Sequence, residues 1–174
     1  GGDWKSDQLS FGEGRAKEDW PSVQLSADDE WVVVTVSQGW SKTEMYLKRR
    51  TATQWIPVIE GRDVRTEGGV TDGRLWLLTN DGAPKNRIVW AEPEKPTEWK
   101  PIVPAGDATI ESFDVVGRRL VVRDLLNASS RLRVFKLDGT DCGTIPLLTV
   151  GAIGGGMGEP DGEDFVFDFQ SFFV

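Results

Sequence analysis

The sequence predicts an all-β chain, a partial β-propeller of about three and a half four-stranded antiparallel blades. Three observations predict it. The stretch Arg74–Pro93, RLWLLTNDGAPKNRIVWAEP, reads as an apolar strand, a turn dense in turn-forming residues, and a second strand stopped by proline. Two other stretches copy it, Glu30–Arg49 (EWVVVTVSQGWSKTEMYLKR) and Arg119–Asp138 (RLVVRDLLNASSRLRVFKLD). Their start points lie 44 and 45 residues apart, and a further step of 45 reaches Asp164, where DFVFDFQSFF begins another apolar run. A second marker keeps the spacing: Gln54–Ile59 (QWIPVI) precedes Glu98–Val103 (EWKPIV) by 44 residues. A period of this length made of short strands is that of propeller blades.

In order along the chain, Gly1–Trp20 is polar and charged, and Asp7–Phe11 is expected to be the tail strand of a preceding blade (residues 1–21). The first full unit, 22–61, opens with Val23-Gln24-Leu25 alternating towards the core and turns at Ala27-Asp28-Asp29. It continues through Trp31–Val36, the turn Gln38-Gly39-Trp40-Ser41, Met45-Tyr46-Leu47 and Trp55–Ile59. The second unit, 62–106, runs from Val64–Val70 through the turn Thr71-Asp72-Gly73 and the Arg74–Pro93 hairpin to Trp99–Val103. The third, 107–149, has Thr109–Val115, the turn Gly117-Arg118, a second hairpin, the tight-turn pair Asp138-Gly139 and a last strand Thr144–Leu148. An incomplete unit, 150–174, holds two strands at most. No helix pattern occurs, because the windows between turns are short and rich in β-branched and aromatic residues. Pro57 and Pro101 sit in the fourth strand of their units, which marks that strand as the outer edge, where a missing N–H faces solvent.

An apolar fraction of 39% with eight tryptophans in 174 residues supports a folded domain with a core. The balance of 28 acidic to 20 basic residues, net charge −8, repels phosphate backbones, so no nucleic-acid partner is expected. The single Cys142 excludes an intrachain disulfide. No apolar run approaches the roughly 20 residues of a membrane span, and no signal peptide opens the chain. The expectation is a cytoplasmic protein without a membrane partner.

The chain has no histidine, which removes Ser-His-Asp and Cys-His arrangements and most zinc sites, and it has no G-x-S-x-G turn. The glycine-rich run Gly151–Gly158 lacks the Lys-Ser/Thr ending and the following helix of a phosphate loop, so it reads as a turn or strand linker. The five carboxylates of Glu159–Asp168 do not follow calcium-loop spacing and read as a solvated loop. No metal ligand set and no cofactor are expected. Trp40 stands out: it lies in a polar turn, where it either caps its own blade or lines a pocket at the propeller face.

The stretches QLSADDEWVVVTVSQGWS, LWLLTNDGAPKNRIVWAEPEKP with EWKPIVP, IESFDVVGRRLVVRDLLNASSRLRVFKLDG and FDFQSFF, spread over Gln24–Phe173, resemble the β-propeller domain of prolyl oligopeptidases. These serine peptidases cleave short peptides after proline. The resemblance implies a seven-bladed propeller of which this chain is the C-terminal half, and a separate α/β-hydrolase domain that carries the catalytic triad. No catalytic residue is carried over, so the chain alone is expected not to be an enzyme. By the same resemblance Trp20 and the loop holding Trp40 look like positions that face the catalytic domain and help shape the pocket for residues preceding proline, and Gln38 stands in the same turn. The implied function is a gating, substrate-restricting domain, with the hydrolase domain and short proline-containing peptides as partners. The alternative is a non-enzymatic propeller scaffold that binds a protein or peptide. Uncovered blade flanks lead to a further expectation of self-association.

Overall fold

The computed structural model describes residues 4–173. The all-β expectation holds: among the described residues the one helical piece is a 3-10 turn at Trp4–Ser6. The first sheet joins β1 (Asp19–Leu25), β2 (Trp31–Gln38), β3 (Lys42–Arg49) and β4 (Ile56–Ile59) in chain order. The second joins β5 (Thr66–Thr71), β6 (Arg74–Thr79), β7 (Arg87–Ala91) and β8 (Lys100–Val103). The third joins β9 (Thr109–Val116), β10 (Arg119–Leu126), β11 (Ser129–Lys136) and β12 (Asp141–Ile145), and β13 (Gly151–Gly158) pairs with β14 (Phe165–Ser171). All pairings are antiparallel. Pro57 and Pro101 lie in β4 and β8, the end strands of their sheets, where no ladder hydrogen bond is lost.

Two-residue turns set the registers. Asp72-Gly73, Gly117-Arg118 and Asn127-Ala128 all have positive φ at both positions, the backbone that matches the right-handed strand twist. The sheets then stack through alternating side chains. Trp31, Val33, Met45 and Leu47 of the first sheet meet Val70, Leu75 and Leu77 of the second. The other face of β6, Trp76 and Leu78, meets Ile110, Leu120 and Val122 of the third. Val121 and Leu132 then meet Ile153, with Phe165, Phe167 and Phe169 packed behind.

Several expectations are corrected. Asp7–Phe11 forms no strand, and β1 begins at Asp19, within the stretch assigned to a preceding blade. That segment instead packs on the flank of the first sheet. The Phe11 ring centre lies 5.2 Å from those of Tyr46 and Trp55, and Trp55 Nε1 donates to the Ser10 carbonyl at 2.8 Å. Val23 and Leu25 are exposed rather than core, because they share this flank and the segment does not reach over them. The last strand of the third sheet is Asp141–Ile145, ended by Pro146, rather than Thr144–Leu148. Gly151–Gly158 is neither turn nor linker but a strand. Its missing side chains make room for rings: a Cβ on Gly156 would come 2.4 Å from the Phe165 ring. Asp168 anchors its bulge, accepting the N–H groups of Gly154 (3.1 Å) and Gly155 (2.7 Å).

Arg15 ties the wrapping segment down. Its guanidinium donates to Asp19 at 2.9 Å and to the buried Glu44 at 2.6 Å. Tyr46 Oη lies 2.9 Å from Glu44 and 2.8 Å from Glu60, and the Gly61 N–H donates to Glu44 at 3.2 Å. Burial works to raise the Glu44 pKa, but the hydrogen bonds from Arg15, Tyr46 and Gly61 outweigh it and hold the carboxyl below its usual range. Burial, reinforced by Glu60, pushes the Tyr46 phenol up.

Three outcomes follow for stability in urea. Leu77→Ala, at a fully buried site between two sheets, loses about 2–5 kcal/mol. Ala128→Gly gains about 0.5–1 kcal/mol, since Ala128 sits at φ 59° where a Cβ is strained. Glu44 has a lowered folded pKa, so its contribution is present above the unfolded value of about 4 and is lost as pH falls from there through the lower folded one. Glu44→Gln therefore flattens the acid limb of a stability–pH profile; an unchanged limb contradicts the role given to Arg15 and Glu44.

Candidate functional site

A cleft of about 800 Å³ opens between the first and second sheets. Trp20 and Ser22 of β1, Thr35 of β2, Trp40 in the β2–β3 turn, and Arg65 and Glu67 at the start of β5 line it. Strand alternation explains this side. Trp20 pairs with Ser37 and Ser22 with Thr35, so all four side chains share the face that looks towards the second sheet. Gly39 at φ +70° turns the chain so that Trp40 stands out of the hairpin end. Trp40 is 98% exposed and Trp20 is 76% exposed. Trp40 thus does not cap the blade core.

Beneath the cleft the two sheets are joined by buried hydroxyls. The Thr43 hydroxyl donates to the Thr66 carbonyl at 2.7 Å and accepts the Thr66 N–H at 2.7 Å. The Thr66 and Thr79 hydroxyls are 2.7 Å apart, and Thr79 accepts the Asp81 N–H at 3.2 Å. The cleft floor is therefore a fixed surface, while the indoles at its rim are free of intrachain cover. Acidic Glu18 and Glu67 and basic Lys42 and Arg65 line it together, so the cleft carries no strong charge of either sign.

Of the three side chains singled out in the sequence, the structure brings Trp20 and Trp40 together and leaves Gln38 apart. Gln38 pairs with Asp19, one residue out of phase with Trp20, and so occupies the opposite face. Its Nε2 donates to Asp19 at 3.2 Å, beside Arg15. Sequence reasoning missed the threonine ladder, which has no spacing signature. It also missed Asp124, fully buried and held by Arg131 (2.8 and 2.9 Å) and Arg133 (2.6 Å). A signal for that ion cluster did exist: a two-residue turn at Asn127-Ala128 puts residue 124 opposite residue 131.

Comparison with known proteins agrees with this architecture. The family model for the prolyl oligopeptidase N-terminal β-propeller domain matches residues 1–174. The prolyl endopeptidase of Elizabethkingia meningoseptica is 24% identical over 170 residues, covering 95% of this chain and 24% of that protein. The prolyl endopeptidase of Elizabethkingia miricola is 25% identical over the same length, with the same coverage. A solved prolyl endopeptidase superposes with a TM-score of 0.91 at 30% identity, over 99% of this chain and 26% of the other. Prolyl oligopeptidase B from Galerina marginata shares the fold, with a TM-score of 0.84 at 14% identity over 97% of this chain and 25% of its own. The chain spans about a quarter of the length of the relatives it matches. With strands, sheet order and sequence in agreement, the chain belongs to the prolyl oligopeptidase N-terminal β-propeller family.

Proposed function

We propose that this chain is a non-catalytic section of a propeller that restricts access to a separate peptidase domain cleaving short peptides after proline. The observation that carries this reading is the pair of largely exposed indoles, Trp20 and Trp40, on the rim of one cleft. Large aromatic side chains left in water at one end of a sheet stack are suited to contact with another domain or with a peptide. The sequence supplies no histidine and no G-x-S-x-G turn, so a triad has to come from elsewhere. The partner is then the α/β-hydrolase domain of the same protein, and the substrates are short proline-containing peptides. Trp20 and Trp40 shape the space for residues preceding proline, over a floor kept rigid by Thr43, Thr66 and Thr79. Gln38, on the other face, acts only through Asp19.

The test is Trp40→Ala in the full-length protein. Its side chain touches nothing that stabilises the sheet, so stability stays within about 0.5 kcal/mol. Post-proline cleavage of oligopeptides is expected to show KM raised about fivefold with kcat little changed, the pattern of lost ground-state binding. Unaltered kinetics for peptides of every length would remove Trp40 from the pocket.

A further inference from the structure

The connections at the other end of the strands border a second, shallow and open cleft, of about 630 Å³, between the second and third sheets. Arg74 at the start of β6, Trp90 of β7, Arg118 in the β9–β10 turn and Lys136 at the end of β11 line it. Arg74 is held from two sides. Its guanidinium lies 4.4 Å from the Trp90 ring centre and 5.7 Å from that of Trp76, and one amino group donates to the Leu137 carbonyl at 3.2 Å. The Lys100 ammonium also sits 4.4 Å from the Trp90 ring centre.

Eight arginines of this acidic chain form ion pairs with carboxylates: Arg15, Arg49, Arg50, Arg62, Arg65, Arg123, Arg131 and Arg133. Among the described residues Arg74, Arg118 and Lys136 form none, and neither do Arg87 and Arg119, but these first three converge on one cleft, where Lys136 also lies near Asp138. Arg74 is thus a guanidinium held over two indole rings and by a carbonyl, with no carboxylate partner among the described residues. A guanidinium so fixed presents parallel donors that match two oxygens of one oxyanion, and ordering it in advance lowers the entropy lost on binding. Two carboxylates line the same cleft. Asp138 is engaged by the Thr140 N–H at 2.9 Å, and Asp72 stands exposed in the β5–β6 turn. A ligand has to carry more than one negative charge to prevail over them.

We propose that this cleft is a binding site for a small multivalent oxyanion of the phosphate class. Arg74 is its bidentate donor, and Arg118 and Lys136 supply the remaining positive charge. The site is independent of the peptidase reading, since it lies at the opposite end of the strands from Trp20 and Trp40.

The test is calorimetric titration of the full chain with inorganic pyrophosphate at low salt, alongside tryptophan fluorescence. Saturable binding of one pyrophosphate with Kd of about 1 mM or tighter is expected, weakening as salt rises. Arg74→Gln and Lys136→Gln each weaken it about tenfold, whereas Asp72→Asn tightens it. Trp90→Phe abolishes the fluorescence change. Lys136 and Asp72 are exposed, so their variants keep the fold and remain decisive even where Arg74→Gln does not fold. No saturable binding below about 10 mM, or an affinity unmoved by both Lys136→Gln and Asp72→Asn, overturns the site.

Discussion

Each four-stranded sheet of this molecule is apolar on both faces, and that constraint governs the rest. In β6, Leu75 and Leu77 look one way while Trp76 and Leu78 look the other, and all four are buried. A strand with two buried faces cannot be satisfied by one partner layer, so sheets have to stack in series. The stacking order follows the chain because each sheet is completed before the next begins. On the flank of the first sheet Phe11 and Trp55 cover Val34, Val36 and Tyr46, and Val23 is exposed.

Apolar stacking is non-directional, and polar contacts settle how the sheets sit on one another. Thr43, Thr66 and Thr79 join the first two sheets through hydroxyls that would be costly if left unpaired. Arg123 donates to the carbonyls of Ile153 (2.9 Å) and Gly154 (2.8 Å), linking the third sheet to the two-stranded one. Asp124, with no solvent exposure, is tolerable only because two guanidinium groups meet it. These groups orient rigid layers, and a rigid stack is what allows its ends to carry function. The indole cleft and the second cleft lie at opposite ends of the same strands, each lined by residues of strands and of the turns between them.

Much of this was legible in the sequence. The 44–45-residue period marked the repeat, alternation within WVVVTV and RLWLL marked the strands, and Pro57 and Pro101 marked the edges. Such signals are local: they rest on side-chain period and on backbone preferences of a few residues. Asn127-Ala128 could be read as a turn, and with it the pairing of Asp124 with Arg131. Trp40 in Gln38-Gly39-Trp40-Ser41 stood out as an aromatic in a polar turn, but the choice between capping the blade and facing water depends on packing and was not legible.

Which face meets what was decided only by the tertiary structure. Trp20 and Gln38 are near neighbours across one strand pair, yet a one-residue difference in phase sends them to opposite sides. Gly151–Gly158 has turn composition but forms a strand, because Phe165 and Phe169 occupy the volume that side chains would fill. Asp7–Phe11 has strand composition but finds no ladder, so it binds through Phe11 and Arg15 instead. The sequence by itself determined the repeat, the strands and the turns, because those depend on neighbours along the chain. Burial, the side of each site and the pairing of charges came from contacts between segments tens of residues apart, and only folding brings those together.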